Sequence, residues 1–230
     1  MKLTLVKKTD EAQDTRSFYF KSETPLTWLP GQYIYITLPK LNYEDQRGDI
    51  RHFTISASPT EGDFVRITIR VRQESGYKKT LDELPLGSVV EGKGPQGTFL
   101  FDKKGNGSNI FLAGGIGITP FRSMTKWIID NNLGVPIHLI HSNSDSEFVF
   151  KSDFEKWADE NKNIKLSYFD SSVLGHLDSK KLLNLLSNTD IKTSTFWVVG
   201  PNVFVDAMED ILEELKVPED NIKTEKFTGY

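Results

Sequence analysis

Arg51, Phe53 and Thr54 fall within one short stretch, RHFTISASP, from Arg51 to Pro59. An arginine takes phosphate oxygens through paired N–H donors, and an aromatic ring lies flat against a planar cofactor. In a regular strand, alternation sets Arg51 and Phe53 on one face and Thr54 on the other. The plainer reading is a strand with an exposed arginine and a core phenylalanine, because most aromatic side chains are core. A second stretch, Gly76 to Thr80, places a glycine ahead of Lys78, Lys79 and Thr80. Those residues open the one short helix expected in the first half, Lys78 to Leu84, and a helix N-terminus suits a phosphate. Gly76 lets backbone approach a ligand closely. The same residues also read as a solvated loop carrying two lysines.

The third stretch is Gly114-Gly115-Ile116-Gly117-Ile118-Thr119-Pro120. It follows a short apolar run, Ile110 to Ala113, and precedes a helical stripe of Phe121, Met124 and Ile128. Strand, glycine turn and helix in that order make a phosphate cradle, in which backbone N–H groups and the helix dipole face the anion. Thr119 is expected as the N-cap and Pro120 as the first helical residue. The turn is not the G-x-G-x-x-G of standard dehydrogenases, and the second strand ends in His141-Ser142-Asn143 with no acidic residue at its tip.

The elements that must hold these residues differ between the halves. Residues 1–104 contain short alternating runs broken by Pro30-Gly31, Pro59 to Gly62 and Pro85 to Gly87. Six such strands predict a small closed antiparallel barrel. Leu41 to Ile50 is polar and reads as a surface loop entering the Arg51 strand. Residues 105–230 alternate strands and helices, which predicts a doubly wound parallel sheet with ligands at the carboxyl ends of its strands. Those ends carry Gly114 to Thr119, Ser142-Asn143 and Gly200-Pro201. Ser152 and Glu155 have capping-box spacing, and Asp178 opens a helix bearing Leu182, Leu183 and Leu186.

Composition narrows the chemistry. The net charge of -4 offers no general attraction to nucleic acid or anionic membrane. The chain has no cysteine, so disulfides, thiolate catalysis and Cys-ligated metal or iron–sulfur centres are excluded. Its four histidines lack metal-site spacing, and no metal is expected. No run is long enough for a membrane span and no secretory leader is evident, so a cytoplasmic location is expected.

A barrel carrying R-x-F-T, ahead of an α/β half carrying G-G-I-G-I-T-P and G-P, resembles the ferredoxin–NADP reductase family across essentially the whole chain. The resemblance implies a stand-alone two-domain flavoprotein that binds FAD in the barrel and NADH or NADPH in the second domain. Hydride passes from nicotinamide to flavin, and electrons leave singly or in pairs. By position, Arg51 neutralises the FAD pyrophosphate and Phe53 packs on one isoalloxazine face, where the family usually has Tyr. Thr54 lies near flavin N5, with Ile55 beside it. Thr68, Ile69 and Arg70 run along the ring and ribityl chain, and Gly76, Lys78, Lys79 and Thr80 form a second phosphate segment. Gly114, Gly115, Ile116, Gly117 and Thr119 hold the dinucleotide pyrophosphate, Ser142 and Asn143 line the same side, and Gly200 and Pro201 position the nicotinamide. Glu225 is the acidic residue near the reaction centre. Phe227 covers the other flavin face until nicotinamide displaces it. Tyr230 has two implied places, stacked on FAD adenine or serving as the shielding ring itself.

Three departures bear on function. Val199 stands where many members have a Cys beside the nicotinamide. Without cysteines for an iron–sulfur domain, electrons must go to a separate acceptor such as ferredoxin or flavodoxin. After the second strand Ser142 is present, but Asn143-Ser144-Asp145 supplies no arginine for a 2′-phosphate, and Asp145 and Glu147 repel one, which favours NADH. Two rival readings remain: an NAD(P)H:flavin reductase using flavin as a loose substrate, and a non-catalytic electron-transfer or redox-sensing subunit.

Overall fold

The computed structural model describes residues 1–71, 74–101, 107–187 and 189–227. By its contacts the chain divides into two units, Met1–Phe101 with Arg122–Asp130, and Asp102–Phe121 with Asn131–Tyr230. The boundary expected at 104/105 lies outside the described residues, as does Tyr230.

The first unit contains β1 (Lys2–Ala12), β2 (Thr15–Ser22), β3 (Tyr33–Thr37), β4 (Ile50–Thr54), β5 (Phe64–Arg70), α1 (Gly76–Glu83) and β6 (Val89–Gln96). Its strands form one antiparallel six-stranded sheet in the order β4-β3-β6-β1-β2-β5. Alternation sends Leu3, Leu5, Phe18, Phe20, Ile34, Ile36 and Ile67 into a fully buried core. Closure differs from the expected closed barrel. No ladder joins the edge strands β4 and β5 among the described residues. The chain just after β4 reaches β5 through the isolated bridge Ile55↔Ile67 and a 2.7 Å bond from Ser56 N to Arg66 O, and Ser56 Oγ bonds to Arg66 O and Thr68 Oγ1 at 3.1 and 2.9 Å. Side chains take the next acceptors instead: Arg122 donates to Ser56 O at 2.9 Å, while Trp28 Nε1 and Ser123 Oγ donate to Ala57 O at 3.1 and 2.7 Å. Pro59, just beyond, has no N–H to extend a ladder. Helix α1 starts at an N-cap, Ser75, whose side chain accepts from Lys78 N. It buries Tyr77 and Leu81, and the Tyr77 hydroxyl donates to Ile36 O at 2.8 Å.

The second unit contains β7 (Asn109–Gly114), α2 (Ile118–Asp130, shared between the units), β8 (Ile137–Asn143), α3 (Lys151–Glu160), β9 (Ile164–Asp170), α4 (Ser171–Leu174), α5 (Ser179–Leu185), β10 (Thr195–Pro201), α6 (Asn202–Glu214) and β11 (Ile222–Phe227). The sheet is parallel, in the order β11-β10-β7-β8-β9. Every residue of β7 and β8 is buried, as expected for strands covered on both faces. Chain order reverses between β7 and β10, the switch point at which such sheets bind ligands.

Two local expectations are corrected. Thr119 is not the N-cap of α2: a 3-10 turn, Gly115–Gly117, precedes the helix, and the Thr119 hydroxyl donates back to Ile116 O at 3.1 Å. The Ser152–Glu155 capping box is absent, because the N-cap of α3 falls two residues earlier, at Phe150, whose left-handed backbone makes the turn without a side-chain cap. Of the three leucines that the Asp178 helix was expected to carry, Leu182 and Leu186 are buried and Leu183 is 42% exposed. Asp178 does cap α5, accepting from Lys181 N at 2.8 Å. Among the described residues, no helix is long and apolar enough to cross a membrane.

Candidate functional site

Strand register decides which side chains of β3 and β4 act together. Ile34 pairs with Phe53 and Ile36 with Arg51, whereas Tyr33 pairs with Thr54 and Tyr35 with His52. Directly paired residues share a face. Ile34 and Ile36 are fully buried, so Arg51 and Phe53 lie on the core-facing side, where each meets the buried Tyr77 ring at 5.1 and 5.9 Å. Phe53 therefore does not present its ring beside Thr54. The ring that does is Tyr33, within an aromatic group of Tyr33, Tyr35 and His52 at centroid distances of 5.1–5.6 Å. Gly97, at φ +112°, leaves room for it, since a Cβ there would stand 3.1 Å from the Tyr33 ring. The alternation Tyr33-x-Tyr35 after Pro30-Gly31 was the available signal; choosing between the two faces required the register.

Arg51 is 9% exposed and fully engaged. Its guanidinium pairs with the Asp45 carboxylate and donates to the carbonyls of Arg47, Gly48 and Ile50 at 2.8, 3.1 and 2.7 Å. Asp45 also accepts from Ser75 Oγ at 3.0 Å and from Tyr77 N at 2.9 Å, at the start of α1. These contacts define an anion seat built from one guanidinium, one hydroxyl and one helix N-terminal amide. Burial alone would push the Asp45 carboxyl up, but the Tyr77 and Arg47 amides, Ser75 and Arg51 outweigh it and hold the carboxyl below its ordinary range. The other expected phosphate residues of α1 face the same loop. Thr80 Oγ1 donates to Gly76 O and accepts from Asn42 N. The Lys79 ammonium lies 3.9 Å from the centre of the Tyr43 ring. Gly76 is needed because a Cβ there would collide with Glu44 O, so the backbone that approaches it is the chain's own.

Within β5, Thr68 is buried and joins Ser17 and Ser56 through hydroxyl contacts of 2.7 and 2.9 Å. Ile55 and Ile69 are core, and Arg70 is half-buried.

The glycine turn after β7 is built differently. Gly115 adopts φ +54°, and the nearest atom to a Cβ there would be Asn143 Oδ1 at 3.7 Å, so its side is open. Gly114 and Gly200 pack on the Phe204 ring, where a Cβ would come within 2.6 and 2.8 Å. A Cβ on Gly117 would strike the Val199 carbonyl. The glycines thus hold the ends of β7 and β10 together and leave the turn accessible at Gly115. His141 Nε2 lies 2.9 Å from Gly115 O and fixes the turn from the β8 side. At the end of β8, Ser142 and Asn143 are buried, and Asn143 Nδ2 donates to Asp145 Oδ1 and Glu147 O at 2.7 and 3.0 Å.

Strand β11 runs beside β10 with Val199 opposite Glu225, Gly200 opposite Lys226 and Pro201 opposite Phe227. The register thus brings Gly200-Pro201, Glu225 and Phe227 to one end of one sheet. Lys226 is tied to α6 by Asp206 and Glu209 at 2.7 and 2.9 Å. Glu225 Oε2 is buried without a hydrogen-bond partner among the described residues, and burial pushes its carboxyl up to about 7. A carboxyl at that value exchanges a proton near neutral pH.

Comparison with known proteins agrees with this arrangement. Residues 2–101 match the family "Oxidoreductase FAD-binding domain", and residues 111–210 match "Oxidoreductase NAD-binding domain". Flavohemoprotein A of Dictyostelium discoideum is 29% identical over 236 residues, spanning 96% of this chain and 58% of that protein. A cytochrome P450 reductase from Amycolatopsis superposes with a TM-score of 0.82 at 20% identity, covering 99% of this chain and 70% of its own. The FAD/NAD-binding domain of a nitric oxide dioxygenase from Vibrio cholerae superposes at 0.81 and 18% identity, covering 98% of both chains. The chain spans about 58% of the length of that Dictyostelium relative. The two family models together span most of the chain, which is a two-part module of an oxidoreductase FAD-binding and an oxidoreductase NAD-binding domain, with the fold of ferredoxin–NADP reductase and cytochrome b5 reductase. The residues present fit FAD, because the seat made by Arg51, Ser75 Oγ and Tyr77 N already cradles an anion, the Asp45 carboxylate.

Proposed function

We propose that this chain is an FAD-dependent NAD(P)H reductase, handing electrons to a separate acceptor such as a ferredoxin, a flavodoxin or an oxygenase partner. The observation that carries the reading is Glu225, a carboxyl pushed up to about 7 by burial, paired with Val199 directly before Gly200-Pro201 and two residues from Phe227. Relatives described as flavohemoproteins and as a glycine betaine monooxygenase reductase subunit support the reductase role. The cysteine-free composition suits a reducing compartment, and the proposal places the protein in the cytoplasm.

When bound, FAD supplies a hydride acceptor that can release electrons one or two at a time. Toward it, Arg51 and the α1 amides neutralise pyrophosphate charge, Tyr33 offers a flat ring and Thr54 a hydroxyl. Phe53 supports that strand from inside, packed on Tyr77. Toward the dinucleotide, the open backbone at Gly115–Gly117 receives the pyrophosphate, and Gly200 and Pro201 leave room for the nicotinamide. Glu225 holds a proton at its carboxyl and passes it as charge changes nearby. Phe227, opposite Pro201 at the same strand end, would cover a flavin face until nicotinamide replaced it. Asp145 and Glu147 beside Asn143 disfavour a 2′-phosphate, so NADH is the preferred donor.

The test is anaerobic addition of NADH to the purified yellow protein, followed by turnover with ferricyanide. Bleaching and multiple turnovers are expected. A flavin that stays oxidised under excess NADH and NADPH would sink the reading. A higher kcat/KM with NADPH would sink the NADH preference alone. The covered phosphate seat on α1 also favours a second reading, loose use of flavin as a substrate. Gel filtration separates the two, since a protein that emerges colourless supports the loose form.

A further inference from the structure

The 41–49 loop touches Ser75, Gly76, the Tyr77 amide, Lys79 and Thr80 of the α1 phosphate segment. Asp45 fills the seat made by Arg51, Ser75 Oγ and Tyr77 N. Asn42 N donates to Thr80 Oγ1 at 2.9 Å, which ties up the one hydroxyl of the helix's second turn. Asn42 Nδ2 and the Tyr43 hydroxyl both donate to Glu83, at 3.1 and 2.5 Å, and anchor the loop at the far end of the helix. Tyr43 covers the Lys79 ammonium, and Glu44 O rests on Gly76. The side chains of Asp45 and Arg51 are 8% and 9% exposed, so a second anion cannot share this seat with the carboxylate. The seat has the chemistry of a phosphate site, and its occupant is an anion of the chain itself.

We infer that the 41–49 loop is a cofactor latch: Asp45 is a built-in competitor for a phosphate of the FAD pyrophosphate, and it must swing out of the Arg51–Ser75–Tyr77 seat for FAD to load. The inference rests on the reading that the first unit holds FAD. It makes Asp45 a determinant of flavin retention. A phosphate entering the seat regains the guanidinium, the Ser75 hydroxyl and the Tyr77 amide that the carboxylate gives up. The exchange is one anion for another, so the net affinity is smaller than the seat alone would provide. Opening also frees Asn42 N from Thr80, and the threonine hydroxyl becomes a donor for the cofactor.

The test uses the full chain stripped of flavin and titrated, by flavin fluorescence, with FAD and separately with riboflavin, which has no phosphate. Asp45→Asn keeps the size and one acceptor oxygen but removes the competing charge. FAD is expected to bind about tenfold more tightly to this variant, the order set by one charge-assisted hydrogen bond, with riboflavin affinity unchanged. FAD affinity unchanged or weaker, in a variant with wild-type Tm, overturns the latch and makes Asp45 a support for Arg51. Hydrogen exchange on the wild-type chain is the second arm and needs no variant. FAD is expected to speed exchange at the Asn42 and Arg47 amides, and exchange unchanged or slowed overturns the proposal. The underlying reading fails separately, by absence of any FAD or riboflavin binding to wild type and variant alike, and the latch falls with it.

Discussion

In the first unit, carboxylates taken out of water sit against guanidinium groups: Asp45 on Arg51, Glu11 on Arg66, and Glu61 on Arg122. In the second unit, His138 and the Glu225 carboxyl are taken out of water with no ion pair to either among the described residues. His138 is 4% exposed, with Nε2 2.8 Å from Ser167 Oγ and Nδ1 unsatisfied, and burial, aided by Lys165, pushes it down to about 4. Glu225 is pushed up to about 7 by burial alone. A paired charge stays ionised through neutral pH, whereas an unpaired one gives up its charge. The first unit can therefore hold a strong, permanently charged anion seat. The second keeps a carboxyl that changes protonation in the working range, at the strand end where the nicotinamide is expected.

The largest expected effects come from testing that contrast with pH. Glu225 binds its proton more tightly folded than unfolded, so its stabilisation is full below about 4.5 and is lost as pH rises through about 7. His138 binds its proton less tightly when folded, so it costs nothing well above 6.5 and destabilises increasingly as pH falls toward about 4. Between pH ~7 and ~5 each changes stability by ~2 kcal/mol in opposite directions, and in the wild type they nearly cancel. In urea titrations at those two pH values, Glu225→Gln should become acid-sensitive and His138→Gln should gain stability on acidification. Wild-type pH slopes in both variants would remove the contrast between the units.

A comparable effect is expected at the paired side. Arg51→Ala should weaken FAD binding by ~1.5–3 kcal/mol, because a charge-assisted phosphate contact is lost. Retention of FAD through dialysis at the wild-type level would show that the seat is not used.

The glycines sharpen the comparison in another way. A Cβ on Gly117 meets the Val199 carbonyl inside the parallel sheet, while one on Gly76 meets Glu44 on a surface loop. Gly117→Ala should cost ~1–3 kcal/mol, the usual range for overpacking, and Gly76→Ala distinctly less because the loop can lift. Equal losses of Tm would mean that the 41–49 loop is as rigid as the sheet.

The smallest effect concerns the tail. On the proposal that Phe227 covers the flavin, replacing it by Ser removes a stacking contribution of ~0.5–1.5 kcal/mol that nicotinamide would have to overcome, so oxidised nucleotide should bind about 2- to 12-fold more tightly. A long-wavelength charge-transfer band should appear with it. Nucleotide affinity and flavin spectrum both untouched would make β11 a structural end strand.

Local signals carried the architecture. Period-two runs marked the strands of the first unit, and the change to strand–helix alternation after Asn109 marked the parallel sheet, because hydrophobic periodicity reports which side of each element is buried. Asp178 was legible as a cap because its bond spans only a few residues. The Ser152 capping box failed for a related reason. Cap spacing is a necessary pattern, and the left-handed backbone at Phe150 opened the helix two residues earlier.

The amino-acid sequence by itself determined the class of each half, the order of the glycine turns and the two domain families that it matches. Tertiary structure alone decided which aromatic of the barrel stands beside Thr54, since that depends on pairing Tyr33 with Thr54 and Ile34 with Phe53 across two strands. It alone placed Asp45 on Arg51 and the start of α1, across a separation of up to 32 residues that no local pattern encodes. It also alone set Glu225 beside Val199, where parallel pairing, and the loss of water that comes with it, moves the carboxyl to about 7. Periodicity along a chain is a property of neighbours. Register, desolvation and the closing of a loop on a helix are properties of segments that meet only after folding.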